Sequence, residues 1–401
     1  MPRSVNFLVL VVDLLLIVVM ISFFVSGARR GFWVTLGTLV GFVAGATLSF
    51  LSIPLVSQWV GNPYWRLAVV LIVAILLIFM GQAVGAALGK VIRLRLNVPG
   101  LRKLDRFMGG LINSVVAVVA YAVIAYSLSS LGVPWLTTAI SQSKVVSAIT
   151  AVAPTPTKEW LANLRSTVQG SDIPELVEPL FPTTEPTADP TDVPIEDALA
   201  TARRSVVRIT GTAFECGQNQ FGSGVAISPT HVLTNAHVVS GVNEPVIETN
   251  TGVVETATVV FFDASKDMAV LYVPGAEFAP IEPGGALPRD AEAVLMGYPA
   301  GGPFRANSAT IQGSGKTNVP NIYGGEAKSL EIYQFTGQIK HGNSGGPLIS
   351  QQGKMAALVF AKAQGTDRTG YALTMKEVTP VIDEAKELTE PVSAGQCMVG
   401  N

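Results

Sequence analysis

Four long apolar runs in the first third of the chain constrain its fold more than any other feature. They cover residues 6–26, 32–56, 67–89 and 108–132. A helix needs roughly 20 apolar residues to cross the hydrocarbon core of a bilayer, and each run is long enough. The first run has no small-residue cleavage site and three more runs follow it, so we expect a retained anchor and not a cleaved signal peptide.

The charges between the runs predict how the chain crosses the membrane. The first connection carries Arg29 and Arg30, the second, SQWVGNPYW, carries no charge, and the third is basic between Lys90 and Arg106. Positively charged loops stay on the cytoplasmic side. We therefore expect loops one and three inside the cell, and loop two and both termini outside. Everything after about residue 133 is then extracytoplasmic.

Asp13 is an acidic residue within the first apolar run. An ionised carboxylate at that depth costs at least ~2.5 kcal/mol. Two interpretations stay open: a functional site inside a helix bundle, or a protonated or hydrogen-bonded packing residue.

The N-terminal region also carries a family resemblance. The segment NFLVLVVDLLLIVVMISFFVSGARRGFWVTLGTLVGFVAG, with its early Asp and its GARRG turn, resembles the start of the colicin V production protein family. The resemblance covers about the first 130 residues. We assign residues 1–133 to a four-helix transmembrane domain.

Residues 134–198 differ in composition from the regions on either side. The stretches APTPTKEW and FPTTEPTADPTDVP are rich in Pro, Thr and acidic residues. Such a segment buries too little apolar surface to fold alone, and its prolines keep it extended. We expect an extracytoplasmic linker with one helix-like stretch, KEWLANLRSTV, at residues 158–168. An exposed linker is also a site for proteolytic nicking, including self-cleavage.

From residue 199 the sequence changes to short β-type runs separated by Gly, Pro and Asn turns. Examples are HVLTNAHVV, MAVLYV and MAALVFA. About 200 residues of closely spaced strands predict a barrel or sandwich. One amphipathic helix, KEVTPVIDEAKEL, is expected near the end of the chain. Its inner face would consist of Val378, Val381, Ile382 and Ala385.

Ser344 lies in the glycine-rich stretch HGNSGGP, where it is either a nucleophile or a small residue in a loop. GNSGG fits the nucleophile elbow of α/β-hydrolases, but that fold needs a histidine after the serine. The three histidines of the chain, His231, His237 and His341, all precede Ser344. The order His, Asp, Ser of chymotrypsin-like double β-barrels remains open.

The sequence has residues that fit the order His, Asp, Ser. His237 ends an apolar strand, and Asp267 directly precedes another. A serine nucleophile needs a base to take its proton, and the base needs an acid to hold its tautomer. The N–H groups of Gly342 and Ser344, with Asn343 as a third candidate, can converge on a developing oxyanion.

Other polar residues near these motifs have plainer interpretations. Asp263 is a weaker candidate for the acid than Asp267, because Asp267 immediately precedes the strand. His231 lies in a turn before a strand and is structural or exposed. His341 precedes Ser344 closely, so it either lines the substrate cleft and responds to pH near neutrality, or is an exposed loop histidine.

Three segments carry a second resemblance. GSGVAISPTHVLTNAHVV, DASKDMAVLYV and GQIKHGNSGGPLIS resemble the three catalytic blocks of trypsin-like serine proteases of the high-temperature-requirement (Deg) type. The resemblance implies His237 as general base, Asp267 as its orienting acid and Ser344 as nucleophile, with an oxyanion hole at Gly342 and Ser344. It implies an all-β chymotrypsin-like double β-barrel over 199–401 that uses no metal and no cofactor. We expect that the PDZ domain usual in that family is missing here, since the predicted protease domain extends over 199–401, and that regulation by PDZ-bound peptides does not apply.

The combination of the two domains resembles a narrower family, the membrane-anchored acid-resistance serine proteases of mycobacteria and related actinobacteria. That resemblance implies resistance to acid and oxidative stress at the cell envelope. It also implies envelope proteins, such as peptidoglycan hydrolases, as substrates. A net charge of -2 favours no nucleic-acid partner. The alternative function is a membrane transporter or scaffold whose protease-like domain acts as a sensor or binding module, an interpretation motivated by Asp13 and the basic third loop.

The chain has two cysteines, Cys216 and Cys397. Both fall in the predicted extracytoplasmic part, where disulfides persist. We expect a disulfide that ties the end of the chain to the first barrel, with two free thiols as the alternative. No third or fourth ligand accompanies them in the sequence as a zinc site would require.

Overall fold

The computed structural model describes residues 3–59, 63–95, 102–129, 143, 145, 174–176, 180–181, 191–194, 197–213 and 218–398. They fall into two compact units, one with the N-terminal helices and one with the β-sheets. The helix-like stretch predicted at residues 158–168 lies outside the described residues.

Four long helices lie in the first third of the chain. They are α1 (Arg3–Arg30), α2 (Phe32–Trp59), α3 (Pro63–Arg95) and α4 (Arg102–Ser129). Within the described residues, three segments are long and apolar enough to cross a membrane: Phe32–Ser52, Ala68–Arg95 and Arg102–Tyr121. Apolar helices able to anchor the chain in a membrane are thus present, and the span assigned to the first run stays a prediction.

Glycines allow α2 and α3 to pack closely. Gly37 and Gly41 on α2 face Gly85 and Gly81 on α3, and the spacing of four residues places each pair on one helix face. A Cβ at Gly85 would lie 2.0 Å from the carbonyl oxygen of Gly37. Between helices in lipid the hydrophobic effect adds little, so close van der Waals packing of this kind provides the attraction.

A charged cluster holds the turn between α1 and α2. Asp105 at the start of α4 accepts a hydrogen bond from the Phe32 N–H at 3.1 Å and pairs with Arg93 Nε at 3.0 Å. Arg93 also donates to the carbonyl oxygen of Arg30 at 2.6 Å. Asp105 therefore satisfies a free N–H at the start of α2, where a carboxylate is stabilised by the helix dipole.

Asp13, the acid within the first apolar run, is half-buried. Its Oδ1 accepts a hydrogen bond from the N–H of Val145 at 3.4 Å. This contact fits the hydrogen-bonded packing interpretation.

Within the described residues, two seven-stranded sheets form the second unit, as the short β-type runs predict. The strands of the N-terminal sheet are β2 (Val206–Ala213), β3 (Gln218–Ala226), β4 (His231–Thr234), β5 (Val246–Thr249), β6 (Val254–Thr256), β7 (Thr258–Asp263) and β8 (Met268–Tyr272). Their order across the sheet is β6-β5-β2-β3-β4-β8-β7.

The strands of the C-terminal sheet are β1 (Glu175–Leu176), β9 (Glu292–Gly297), β10 (Arg305–Pro320), β11 (Ala327–Thr336), β12 (Pro347–Ser350), β13 (Met355–Ala363) and β14 (Thr369–Thr374). Their order is β1-β13-β12-β9-β10-β11-β14, and β14 also pairs with β13. Strands β9 to β14 therefore form a closed ring in which each strand pairs with two other strands of the ring.

Among the described residues, three short α-helices accompany the sheets: α5 (Asp197–Ser205), α6 (Ala236–Val239) and α7 (Met375–Ala385). The amphipathic helix predicted near the end of the chain is α7, and that prediction is confirmed. Its inner face is buried at Val378, Val381 and Ala385, and Ile382 packs partly buried against the same core. One buried apolar cluster contains side chains from both sheets, so the sheets share a core.

Parts of the predicted linker lie on the C-terminal sheet. Strand β1 pairs with the end of β13 in parallel. Further along the linker, Asp192 accepts a hydrogen bond from Arg305 at 2.7 Å, and the Val193 N–H donates to the carbonyl oxygen of Ala306 at 2.9 Å. The linker is thus anchored at these points, because its backbone groups and acids find partners on the sheet.

We predict that Gly41→Leu separates α2 from α3, because even a Cβ at that position would lie 2.1 Å from the carbonyl oxygen of Gly81. The cost should be about 1–3 kcal/mol, as for other overpacked sites. The measurement is thermal unfolding of the detergent-solubilised chain. Val43→Leu adds volume on the exposed side of α2 and is the control. Equal melting temperatures for the two variants would contradict the packing role of Gly41.

Candidate active site

The register of the N-terminal sheet brings His237 and Asp267 together. Strand β4 ends at Thr234, which pairs with Ala269 near the start of the antiparallel strand β8. His237 follows the end of β4 in α6, and Asp267 directly precedes β8. The two residues are 30 positions apart in sequence but adjacent in space, because the strands that carry them pair at these ends.

The Asp267 carboxylate accepts two hydrogen bonds from the same residue. Its Oδ2 lies 2.7 Å from His237 Nδ1, and its Oδ1 accepts the backbone N–H of His237 at 2.9 Å. Both side chains are buried. An ionised carboxylate only accepts hydrogen bonds, so Nδ1 carries the ring proton and Nε2 is left with its lone pair. That tautomer is the one a general base requires.

Asp267 needs an unusual backbone conformation to make these contacts. Its φ is +53°, in the left-handed region, where Asp is more tolerant than most residues. The side-chain amide of Asn235 donates to the carbonyl oxygen of Asp267 at 2.8 Å and stabilises this turn.

Ser344 lies in a loop that contacts both sheets. Its carbonyl oxygen accepts a hydrogen bond from the Ser223 N–H on β3 at 2.8 Å. The next N–H, of Gly345, donates to Val359 on β13 at 2.9 Å. Gly345 packs so closely against β3 and β4 that a Cβ there would lie 2.1 Å from the carbonyl oxygen of Ser223 and 3.2 Å from the Asn235 nitrogen. The loop therefore packs against the segment that leads to His237.

The N–H groups of Gly342 and Ser344 in this loop donate to no acceptor among the described residues. The third candidate donor, the Asn343 N–H, donates to the carbonyl oxygen of Lys340 at 3.0 Å and is therefore occupied. Gly342 has φ +92°, and a Cβ there would lie 2.4 Å from the carbonyl oxygen of Tyr298. Only glycine fits this turn.

Within the described residues, neither Ser344 Oγ nor His237 Nε2 has a hydrogen-bond partner, although both atoms are buried. A buried polar atom without a partner is costly. Catalytic hydrogen bonds are often long in structures without substrate and shorten when it binds. The arrangement thus leaves a hydroxyl and an unprotonated ring nitrogen available for chemistry on a bound molecule.

Ser223 is a residue that the sequence did not single out. Its Oγ donates to the carbonyl oxygen of Gly342 at 2.6 Å and accepts the N–H of Tyr298 at 2.9 Å. It thereby ties the glycine-rich loop to β3 and to the turn after β9. The one available signal was its place between two glycines in GSG. Gly222 lies under Val238, where a Cβ would come within 2.6 Å of that side chain.

Two other polar residues considered from the sequence, Asp263 and His231, form hydrogen bonds that stabilise the fold. Asp263 Oδ1 accepts hydrogen bonds from the Ser265 hydroxyl and the Ser265 and Lys266 N–H groups, so it shapes the turn before Asp267. The imidazole of His231 is buried, and its Nε2 lies 2.7 Å from the carbonyl oxygen of Leu388. The structural interpretation of His231 thus fits.

His341 is neither fully buried nor fully exposed. Its ring packs edge-to-face on Phe221 of β3, with ring centroids 4.1 Å apart. Its carbonyl oxygen accepts a hydrogen bond from the Ala300 N–H at 2.5 Å. The residue is therefore part of the ordered loop that carries Ser344.

The C-terminal segment after α7 lies on the N-terminal sheet. The Val392 N–H donates to the carbonyl oxygen of Val259, and the Gly241 N–H donates to that of Ala394. Cys397, at the end of this segment, is disulfide-bonded. Cys216 lies outside the described residues.

No group of three or more metal-ligating side chains occurs in the part of the chain that the structure describes.

Comparison with known sequence families divides the chain in two. The family described as colicin V production protein matches residues 12–154, and the family described as trypsin-like peptidase domain matches residues 222–358. The second match includes β4, α6 and β8 with the His237–Asp267 pair, and also the Ser344 loop.

Whole proteins match as well. Serine protease Rv3671c of Mycobacterium tuberculosis is 31% identical over 382 residues, which cover 93% of this chain and 95% of that protein. Serine protease Do-like HtrB of Bacillus subtilis is 29% identical over 161 residues, covering 38% of this chain and 35% of that protein. The crystal structure of the Rv3671c protease in its active form is 34% identical with a TM-score of 0.51, and covers 56% of this chain and 100% of its own. The β-sheet unit therefore has a trypsin-like protease fold.

We predict that Asp263 makes folding sensitive to acid. Burial alone would raise the pKa of Asp263, but hydrogen bonds from Ser265 and Lys266, with the charge of Lys328, outweigh burial and lower it below its ordinary value of 3.8. A carboxylate with a lowered pKa stabilises the folded state above its ordinary pKa, and that stabilisation is lost as the pH falls through the folded pKa.

Asp263→Asn keeps an acceptor oxygen but does not titrate. Its free energy of unfolding should therefore lie below that of the wild type near neutral pH, and the difference should shrink below about pH 4. Denaturant unfolding from neutral to acid pH measures this, with the exposed Glu244→Gln as a control that should follow the wild type. A difference independent of pH would contradict the role of the Asp263 charge.

Proposed function

The chain belongs to the same serine protease family as Rv3671c of Mycobacterium tuberculosis, and from this premise we propose that it is a membrane-anchored, extracytoplasmic serine endopeptidase. We propose His237, Asp267 and Ser344 as its catalytic triad. The observation that carries the proposal is the double hydrogen bond from His237 to the buried Asp267 carboxylate, beside a loop with a buried, unpartnered serine hydroxyl.

The proposed mechanism begins with attack of Ser344 Oγ on the scissile carbonyl carbon. His237 Nε2 takes the hydroxyl proton, and Asp267 stabilises the resulting imidazolium through Nδ1. The imidazolium then donates the proton to the leaving amine, which gives an acyl-enzyme on Ser344. Water, deprotonated by the same histidine, hydrolyses the acyl-enzyme and regenerates the hydroxyl.

The oxyanion of each tetrahedral intermediate would lie against the N–H groups of Gly342 and Ser344. Their availability supports this assignment, since both are free of other described partners. One such donor contributes roughly 10²–10³ to the rate. The Asn343 N–H does not join them in this conformation, because it donates to Lys340. The mechanism requires neither a metal nor a cofactor.

We also propose the finer architecture. Residues 1–133 form a four-span domain, residues 134–198 a linker, and residues 199–401 a protease domain of two chymotrypsin-like β-barrels. The closed ring of β9 to β14 supports a barrel for the second half. The basic first and third loops support cytoplasmic placement of those loops, which puts the protease domain in the periplasm.

A disulfide between Cys216 and Cys397 would join the C-terminal segment to the N-terminal barrel. The disulfide-bonded state of Cys397 supports this, because Cys216 is the one other cysteine in the sequence. The bridge would hold the segment next to α6, which carries His237. Oxidising conditions would then favour the ordered site.

For the biological role we propose resistance to acid and oxidative stress at the cell envelope. The match to Rv3671c over nearly the whole chain supports a shared role. Envelope proteins such as peptidoglycan hydrolases are the proposed substrates, since a protease anchored on the outer side of the membrane meets proteins of that compartment.

We predict that a fluorophosphonate labels the wild-type chain and that labelling requires both Ser344 and His237. Ser344→Ala should abolish labelling, and His237→Ala should slow it, with peptide hydrolysis reduced by about 10⁴-fold or more in each. Ser314→Ala changes an exposed serine on β10 and should label like the wild type. Each protein is labelled with and without reductant to test the disulfide.

A folded wild-type chain that fails to label would contradict the protease proposal. The membrane unit would then become the principal functional part, as a transporter or scaffold with the β-sheet unit as a sensor.

We predict self-cleavage within the linker, because its proline- and threonine-rich sequence is accessible to a protease. The wild-type chain in detergent should yield a fragment of the size of the protease domain on incubation. Ser344→Ala should stay intact, and Ser314→Ala should be cut as the wild type is. Size analysis by mass spectrometry distinguishes the cases, and an unchanged fragment pattern in Ser344→Ala would exclude self-cleavage.

A further inference from the structure

One edge of β13 begins at the nucleophile loop. Strand β12 covers this edge up to the pair between Pro347 and Leu358. Beyond that pair, the two glycines after Ser344 form the next hydrogen bonds to this edge. The Gly345 N–H donates to the carbonyl oxygen of Val359, and the Val359 N–H donates to the carbonyl oxygen of Gly346, both at 2.9 Å. The edge that continues past Val359 therefore starts directly beside Ser344.

The linker occupies the next part of the same edge. The Lys362 N–H donates to the carbonyl oxygen of Pro174 at 3.1 Å, and the Gln364 N–H donates to that of Leu176 at 3.2 Å. Lys362 lies three residues beyond Val359, which is about 10 Å along a strand. We call Pro174–Leu176 the strap.

Side chains hold the strap in this position. The Glu175 carboxylate lies 3.4 Å from Lys362 Nζ, which also binds Asp367 at 2.9 Å. Burial alone would lower the pKa of Lys362, but its hydrogen bonds to Asp367 and Glu175 and their charges outweigh burial and raise it. Lys362 therefore stays charged for this ion pair. Leu176 packs partly buried against the core shared by the two sheets.

A second contact follows the strap at Phe181. Its N–H donates to Gln334 Oε1 at 3.0 Å, and its carbonyl oxygen accepts from Gln334 Nε2 at 3.1 Å. Gln334 is fully buried and also bonds Gln312 at 2.7 Å. A buried amide that satisfies both backbone groups of one residue is a built site for polypeptide backbone and not a chance surface contact.

A substrate needs the same edge. A chain whose scissile carbonyl lies at Ser344 meets β13 next to Val359, and each further extended residue covers about 3.3 Å. The substrate chain therefore reaches Lys362, where the strap lies, at its second or third residue from the scissile bond. Short substrates fit without touching the strap, and longer ones compete with it.

We propose that the strap is an intramolecular ligand: it occupies the backbone edge that runs from Lys362 on β13 to Gln364 and so restricts access of long chains to Ser344. The binding mode is the addition of a strand to an open sheet edge. The tether raises the effective concentration of the strap to the millimolar range, so a few backbone hydrogen bonds are enough. The part of the proposal that concerns substrates rests on the proposed protease function.

The first test measures binding without catalysis. A fluorescent synthetic peptide of residues 171–182 is titrated against the full-length Ser344→Ala chain in detergent, with and without the added changes Glu175→Lys and Leu176→Asp. We expect at least about tenfold tighter binding when the strap is altered, because the peptide no longer competes with a tethered copy. Asp192→Ala, which loosens the linker from β10, is the control and should bind as the unaltered strap does. Equal binding in all three proteins would overturn the proposal.

The second test uses the chain that retains Ser344, with the strap unaltered and altered. It compares two substrates that have the same residue before the cleaved bond. One is an ester of that single residue, and the other is an amide with five residues before the bond. Altering the strap should raise kcat/KM about tenfold for the long substrate, the size expected of two backbone hydrogen bonds. It should leave the ester within about twofold. An equal rise for both substrates would overturn the proposal. Inactivity toward both, with strap-dependent peptide binding in the first test, would contradict the protease function but not the binding site.

Discussion

The proposed chemistry depends on the two hydrogen bonds that His237 donates to the Asp267 carboxylate. A buried carboxylate is costly unless its oxygens are satisfied, and here one residue satisfies both of them. The backbone contact positions the histidine, and the ring contact selects its tautomer. Neither contact forms unless β4 and β8 pair in the observed register, because the two residues belong to the ends of those strands. The N-terminal sheet is therefore the support for the proposed base.

The nucleophile loop belongs to the C-terminal sheet and yet is bonded to the N-terminal one. Ser223 joins the sheets at this point, since its backbone binds Ser344 and its hydroxyl binds Gly342. The C-terminal segment makes a second connection. It leaves α7, contacts His231 through Leu388, and ends at Cys397 beside the turn that follows α6. The proposed base and the proposed nucleophile thus keep their places through contacts between the two sheets.

We propose a second role for the linker besides spacing the protease domain from the membrane. Its described parts lie on β13, β11 and β10, so the polypeptide between the two units is partly integrated into the protease fold. The position of a cut would then have opposite consequences. A cut before Pro174 leaves the strap on the protease, whereas a cut after Leu176 separates the strap from the protease and reduces its effective concentration.

The sequence by itself determined the features that depend on residue type, order and short-range period. The apolar runs predicted α1 to α4, the spacing at Val378, Val381 and Ala385 predicted α7, and the order His, Asp, Ser excluded the α/β-hydrolase interpretation. Only the tertiary structure decided the role of Ser223, the engagement of the Asn343 N–H, and the position of the strap on β13. These depend on pairs of residues up to about 190 positions apart, brought together by strand register and by the shared core. No local pattern encodes such pairs, since a serine between glycines or a short Pro-Glu-Leu segment fits many surroundings, and the folded sheets select one of them.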